Sequence, residues 1–290
     1  MTTVNTPEVG RRDLRALLGR VATHGYLVLL VLFVALPLLW VLLLSLKTLP
    51  DAYTNQIIPR FGLTLEHYWQ TWGTIGSLRR NFLNSAIVAV GSISLTVAVA
   101  SLVAYAVVHL RFRAKAVVIV TAFAALLIPI RVSGIIGVWA VQRQLDLLDS
   151  VLGLIPPYST FGLAVGFFIM KSTFELIPKE LMEAAEVDGA SPLWRFWHVA
   201  IPLARNGLIV AGLTQFILSW GDYLLAVTLT TSLESRTLPV LLATATGGMG
   251  AWNWPSISAV FVMASLPVLI VFIFVYRRFM QGVLEGGLRG

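Results

Sequence analysis

The chain has 290 residues, 57% of them hydrophobic and only 12% charged, with a mean hydropathy of +0.83. A soluble domain carries about a quarter of its residues as charges, so this composition excludes an ordinary water-soluble protein and points to one integral membrane domain. The absence of cysteine excludes disulfides, thiol nucleophiles and cysteine-ligated metals, and the net charge of +7 reads as arginines flanking membrane spans, with no nucleic-acid partner.

Met1 to His24 is polar and carries Arg11, Arg12, Arg15 and Arg20, so residues 1–25 are expected to form an N-terminal tail. Tyr26 to Leu44 is an apolar run of the length that crosses a bilayer. It is too long for a signal-peptide core and no small-residue cleavage site follows closely, so it reads as a retained first span. Ser45 to Arg80 is a mixed stretch, expected to be an external loop. Phe82 to Val108 is the second span, closed by His109, Arg111, Arg113 and Lys115. Ala116 to Ile136 is the third, with Pro129 and Arg131 interrupting its end. Trp139 to Pro157 is less regular and places Asp146 and Asp149 in an external loop. The fourth span begins near Gly153 and runs through Phe161 to Phe174. Leu208 to Leu229 is the fifth and Ile257 to Tyr276 the sixth. The expected fold is an all-α membrane protein with six transmembrane helices over residues 26–279 and a C-terminal tail over 280–290.

The positive-inside rule orients this bundle. With the N-terminus inside, fourteen of the 21 basic residues fall in cytoplasmic segments and seven outside, which favours both termini in the cytoplasm. The adjacent pair Arg79-Arg80 runs against that pattern.

One polar stretch, Phe174 to Asn206, stands between the fourth and fifth spans and is placed in the cytoplasm by this orientation. Glu175, Glu180, Glu183, Glu186 and Asp188 are five of the fourteen acids in the chain. Its punctuation predicts two short helices. Ile177-Pro178 opens the first, with proline at the first helical position. Asp188-Gly189 stops it, Gly189 taking the left-handed conformation of a helix C-cap. Ser191-Pro192 starts the second, and Ile201-Pro202 ends it. Leu181, Ala184 and Ala185 share one face, and Glu180 and Glu183 lie together beside it. The residues alone leave two readings open: an amphipathic loop on the membrane surface, or a rigid, acidic-edged docking knob.

Catalytic signals are missing from the sequence. No phosphate-binding G-x-x-x-x-G-K-[ST] loop and no G-x-S-x-G elbow occurs. His24, His67, His109 and His198 are scattered without metal-ligand spacing. Asp222 is the one acid within the predicted spans, roughly 22 Å along the fifth helix at 1.5 Å per residue, near its outer mouth. Ser219, Trp220, Asp222 and Tyr223 form the most polar part of any span. An aromatic ring with hydroxyls and a carboxylate suits a sugar, and the same residue types suit helix–helix packing. Trp252 and Trp254 are interface anchors or a contact for an external binding protein.

Glu183-Ala184-Ala185, then Asp188-Gly189-Ala190, then Ile201-Pro202-Leu203, resembles the EAA loop of ABC importer permeases. The resemblance covers most of the chain from about Phe61 onwards. Asn84-Ser85, Tyr105-Ala106, Trp220 followed by Tyr223-Leu224-Leu225-Ala226, and Thr237-Leu238-Pro239 resemble the carbohydrate type. Gln281-Gly282, Gly286 and Arg289-Gly290 are similar to the tail of the maltose-system's smaller inner permease. Gly221, where the family often has asparagine, and Leu284-Glu285 depart from the pattern.

The resemblance implies a type I importer permease fold in a prokaryotic inner membrane. It implies a second, homologous permease subunit, two ATPase subunits and an extracytoplasmic solute-binding protein. ATP and Mg would be bound by the ATPases, with no cofactor, metal or catalytic residue in this chain. Glu180, Glu183, Ala184, Ala185, Asp188, Gly189 and Pro202 would form the ATPase-coupling helix-turn-helix, and the tail residues Gly286, Arg289 and Gly290 would also reach the ATPases. A permease for a polyamine or an anion, a self-sufficient ion-coupled carrier and a membrane enzyme are the rival readings.

Overall fold

Long segments that are apolar all round must satisfy their own backbone groups in lipid, and helices do so. A computed structural model describes residues 9–54, 60, 62–74, 76–127, 134–246 and 253–287. Its first part holds α1 (Val9–Leu46), α2 (Leu49–Tyr53), α3 (Glu66–Thr74), α4 (Gly76–His109), α5 (Lys115–Leu127) and α6 (Ile135–Gln144). A 3-10 turn at Leu152–Leu154 leads into α7 (Ile155–Glu175), followed by α8 (Lys179–Val187) and α9 (Pro192–Leu203). The chain continues through α10 (Arg205–Trp220), α11 (Leu224–Leu229), α12 (Leu238–Thr246) and α13 (Trp254–Gly287).

Among the described residues, four helical stretches are long and apolar enough to cross a bilayer: Gly19–Leu46, Leu78–His109, Leu152–Glu175 and Trp254–Val275. The bent pair α9 and α10 raises this to five if it is one span. Of the third span, expected over Ala116 to Ile136, the described part is α5, of 13 residues, and the start of α6 at Ile135; residues 128–133, with Pro129 and Arg131, lie outside the described residues. One expected span is corrected. The fifth was expected to be continuous to Leu229, but it breaks at Gly221–Tyr223. There the Asp222 carboxylate accepts the Leu225 N–H at 3.0 Å, offering the backbone a local partner in place of the helical one.

The chain divides into two compact units. One comprises residues 1–68 and 253–262. Its α1 span is exposed from Gly19 to Trp40 except for half-buried Ala35, whereas Ser45 near its end and Lys47, Asp51 and His67 beyond it are buried. Ser45 bonds the Tyr68 hydroxyl at 2.6 Å, His67 Nε2 bonds the Lys47 carbonyl at 2.9 Å, and Asp51 accepts the Arg60 N–H at 3.0 Å.

The other unit comprises residues 69–252 and 263–290, and its centre is the packing of α4, α7 and α10. Small residues let these helices meet. A Cβ added at Gly166 would already touch Ala100 and Thr96 at 3.3 Å, and one at Gly207 would fall 2.8 Å from Thr173 Cβ. Ala100, Ala104, Phe167, Met170, Phe174 and Ala211 fill the core. Polar side chains join the helices through backbone carbonyls. Thr96 donates to Ser159 O and Gln215 Nε2 to Tyr158 O, both at 3.2 Å.

The irregular segment between α11 and α12 is held from two sides. Asn81 Nδ2 donates to Arg236 O at 2.6 Å, Asn84 Nδ2 donates to Glu234 O at 2.7 Å, and Ser85 Oγ accepts the Leu238 N–H at 2.9 Å. Opposite them, Asp149 Oδ1 accepts the N–H groups of Thr231 and Ser232 at 2.8 and 2.9 Å, together with the hydroxyls of Ser232 and Ser235. Asp149 has a positive φ of 57°, and its own N–H returns to Leu229 O at 2.8 Å. Burial opposes its ionisation, but these donors outweigh that and hold the carboxyl well below the usual carboxylate range.

A depressed pKa stabilises the fold at neutral pH, and that contribution is lost only as pH falls through the folded value. Asp149→Ala is therefore expected to cost about 1–2 kcal/mol at pH 7, read as a lower thermal midpoint of the purified protein. The gap from the unsubstituted protein should close as the pH drops below the carboxylate range. A gap independent of pH would show that the carboxylate charge is not what holds this junction.

Candidate functional site

The polar hairpin is built by four local signals. Pro178 is extended, with φ −56° and ψ 131°, and precedes Lys179 as the N-cap. The helix therefore starts one residue later than expected, with Pro178 as N-cap and not first helical residue, because its ψ lies outside the helical region. At the other end Gly189 takes φ +80°. Ala190 N–H returns to Ala185 O and Gly189 N–H to Glu186 O, both at 3.0 Å, which is the bonding pattern of a Schellman cap. Ser191 then caps α9, its hydroxyl accepting the Trp194 N–H at 3.2 Å, with Pro192 at the first helical position.

α9 ends at Leu203, one residue past Pro202, after a π-helical turn over Phe196–Ala200 that the sequence did not announce. The proline offers no N–H to the turn before it, and that is where the helix widens. A bend of 79° then separates α9 from α10 at Ala204.

Two buried side chains seat the hairpin on the helices beneath. Met182 from α8 and Phe196 from α9 are 5% and 2% exposed, in one cluster with Tyr105, Phe174 and Ile177. The arms are tied by Arg195 Nη1, which donates to Glu186 Oε2 at 2.5 Å and to Met182 O at 3.4 Å. Glu180, Glu183, Ala184 and Asp188 are exposed and Ala185 is half-buried. Among the described residues no basic group pairs with Glu180 or Glu183. Leu181, Val187, Leu193 and Trp194 are exposed as well. A rigid hairpin with unpaired acids and exposed apolar side chains has the make-up of a protein-binding surface.

The seating residues were not visible in the sequence. Met182 stands between acids in a polar stretch, and its burial follows from the fold of the hairpin onto Phe174. Arg195 and Glu186 are nine residues apart across two helices, so only the geometry of the Gly189 turn brings them together.

The polar residues near Trp220 are engaged within the chain. Ser219 Oγ donates to Gln215 O at 2.9 Å, and Trp220 Nε1 to Ala264 O at 3.1 Å. Asp222 also accepts the Tyr158 hydroxyl at 2.9 Å. Tyr223 is exposed. Trp254 is exposed at the start of α13, whereas Trp252, Arg289 and Gly290 lie outside the described residues. Gly286 is in the last turn of α13. A cleft of about 710 Å³ beside α5 and α7 is lined mainly by apolar groups such as Val117, Ala122 and Phe161, with hydroxyls from Thr121 and Thr160.

Residues 96–285, which include the hairpin, match the family of binding-protein-dependent transport system inner membrane components. The chain belongs to this family. It is 33% identical over 256 residues to the sulfoquinovosyl glycerol transport system permease protein of Agrobacterium fabrum, covering 88% of each chain. It is 32% identical over 269 residues to the trehalose transport system permease protein of Mycobacterium tuberculosis, covering 90% of this chain and 95% of the relative. Among solved structures it resembles a chain of a bacterial ABC transporter involved in the import of the acidic polysaccharide alginate. The TM-score is 0.81 at 21% identity, over 96% of this chain and 100% of that one, which supports the permease fold.

At Gly189 an added Cβ would meet no atom within 4 Å, so a substitution there costs only the strain of positive φ. Gly189→Val is expected to destabilise the hairpin turn by about 1–2 kcal/mol, and Gly189→Asn by less, since asparagine visits this region readily. Limited proteolysis at the turn should accelerate in that order. Equal rates for glycine, asparagine and valine would refute the conformational requirement.

Proposed function

We propose that this permease forms half of the translocation path of an ATP-driven sugar importer, and that an ATPase drives it through the α8–α9 hairpin. The observation that carries the reading is the hairpin itself, seated by Met182 and Phe196 while Glu180 and Glu183 stand exposed and unpaired among the described residues. The sugar cargo is supported by relatives named for sulfoquinovosyl glycerol and trehalose, each matching over most of its length.

In this reading the chain crosses a prokaryotic inner membrane six times, with both termini and the hairpin in the cytoplasm. It is a translocation subunit and not an enzyme. A second, homologous permease completes the path, two ATPase subunits bind ATP and Mg, and an extracytoplasmic solute-binding protein delivers the sugar. Glu180 and Glu183 meet basic groups of the ATPase, Ala184 and Ala185 allow close approach, and Asp188-Gly189 make the turn. Pro202 sits where the hairpin gives way to the span. Gly286, Arg289 and Gly290 extend the ATPase contact, and Trp252 and Trp254 face the binding protein. Of Ser219, Trp220, Asp222 and Tyr223, the exposed ring of Tyr223 is the best placed to meet a sugar.

Gentle-detergent purification from the native membrane, with mass spectrometry, is expected to recover an ATPase, a second permease and a solute-binding protein. Glu183→Lys reverses the charge offered to the ATPase. It should leave the chain inserted and lower ATPase recovery by about tenfold, the equivalent of one lost charge contact. Undiminished recovery would remove Glu183 from the docking surface. Recovery of this chain alone, active in uptake after reconstitution, would overturn the importer reading.

A further inference from the structure

The hairpin reaches the spans by two covalent routes and one prominent side-chain bond. The first route is the short link Leu176–Pro178 after α7. The second passes through the π-helical turn Phe196–Ala200, Pro202 and the 79° bend at Ala204 before α10 begins. Wide turns, prolines and bends are where helices yield, so this second route is compliant.

The side-chain bond comes from α4. Tyr105, buried near the end of that helix, donates its hydroxyl to the Pro192 carbonyl at 2.9 Å, at the first residue of α9. Its ring is held edge-on by Phe174 at 6.0 Å and Phe196 at 5.0 Å, and the His109 ring lies one turn further on at 5.2 Å. Phe174 belongs to α7 and Phe196 to α9, so the ring has little room to swing. Three residues after Pro192, Arg195 clasps α8 through the Glu186 carboxylate and the Met182 carbonyl. One hydroxyl on α4 therefore holds α9 directly and α8 through Arg195.

We propose that Tyr105 is a positioning residue that makes the hairpin and the His109 end of α4 move as one body. A displacement imposed on the hairpin then reaches α4 directly and α10 only through the compliant bend. This rests on the reading of the hairpin as the ATPase-docking element. Tyr105→Phe is the discriminating change, because it removes one oxygen and keeps the ring between Phe174 and Phe196.

The test uses the assembled importer in lipid nanodiscs, with Mg-ATP as the probe. The chain has no cysteine of its own, so cysteines for paired spin labels can be added at exposed positions. One pair is Leu193 with Arg113, in the turn four residues past the His109 end of α4, and the other is Leu193 with Ile217, reporting hairpin against α10. With Tyr105 present, Mg-ATP is expected to shift the Leu193–Ile217 distance and leave Leu193–Arg113 unchanged. In Tyr105→Phe the Leu193–Arg113 distribution should shift or broaden as well, with the complex still assembled.

A Leu193–Arg113 distance that stays fixed in Tyr105→Phe would overturn the proposal. So would failure of that variant to assemble, which would make the hydroxyl a folding contact and not a transmitting one. If Mg-ATP moves neither pair in the unsubstituted complex, the docking reading falls and this proposal falls with it.

Discussion

Lipid gives helices no hydrophobic reason to associate, so this fold depends on how closely α4, α7 and α10 approach one another. Glycine and alanine at the crossings set that distance. Gly162 lies so near α10 that a Cβ there would overlap the Gln215 amide, and Gly207 does the same against Thr173. At such spacing the dispersion contacts of Phe167, Met170 and Phe174 become numerous. The bonds from Thr96 and Gln215 add about 0.6 kcal/mol each by the measure of other membrane proteins. Close packing, more than any single polar contact, therefore holds the core.

Where the backbone leaves the helical pattern, side chains replace the missing partners. Asp222 takes the Leu225 N–H at the break after Trp220, and Asn81, Asn84, Ser85 and Asp149 hold the segment from Thr231 to Leu238. Such irregular backbone is tolerated in a membrane protein only where it is covered or wet. This gives a physical meaning to Asn84-Ser85 and Thr237-Leu238-Pro239, which otherwise stand only as family resemblance. It also changes how the polar residues near Trp220 read: the Ser219 hydroxyl, the Trp220 indole N–H and Asp222 all make bonds within the chain.

What was legible in the sequence was local. Ser191-Pro192 and Asp188-Gly189 announced a helix start and a helix stop because capping depends on neighbours within a few residues. What was not legible was tertiary. Met182 and Arg195 acquire their roles only after the Gly189 turn has folded α9 back against α8. The break at Gly221 was hidden because hydropathy counts residues and not helical continuity: the apolar run resumes at Leu224, directly after the polar Ser219–Tyr223 stretch. Asp149 was assigned to a loop from its polarity, but its partners lie more than eighty residues away.

The distribution of charge also bears on where the energy for movement enters. The four long apolar stretches hold no aspartate or glutamate before Glu175, and Asp222 lies at a break where it already accepts two bonds. A carrier driven by protons needs a carboxylate free to titrate near the middle of the membrane. Four of the fourteen acids, Glu180, Glu183, Glu186 and Asp188, stand instead on the hairpin, outside the long spans. In the proposed coupling, force applied there meets the Tyr105 bond to Pro192 on one route and the 79° bend at Ala204 on the other. A body with one stiff and one soft attachment converts a push at the tip into rotation of one helix against another, which is the motion a two-state permease requires.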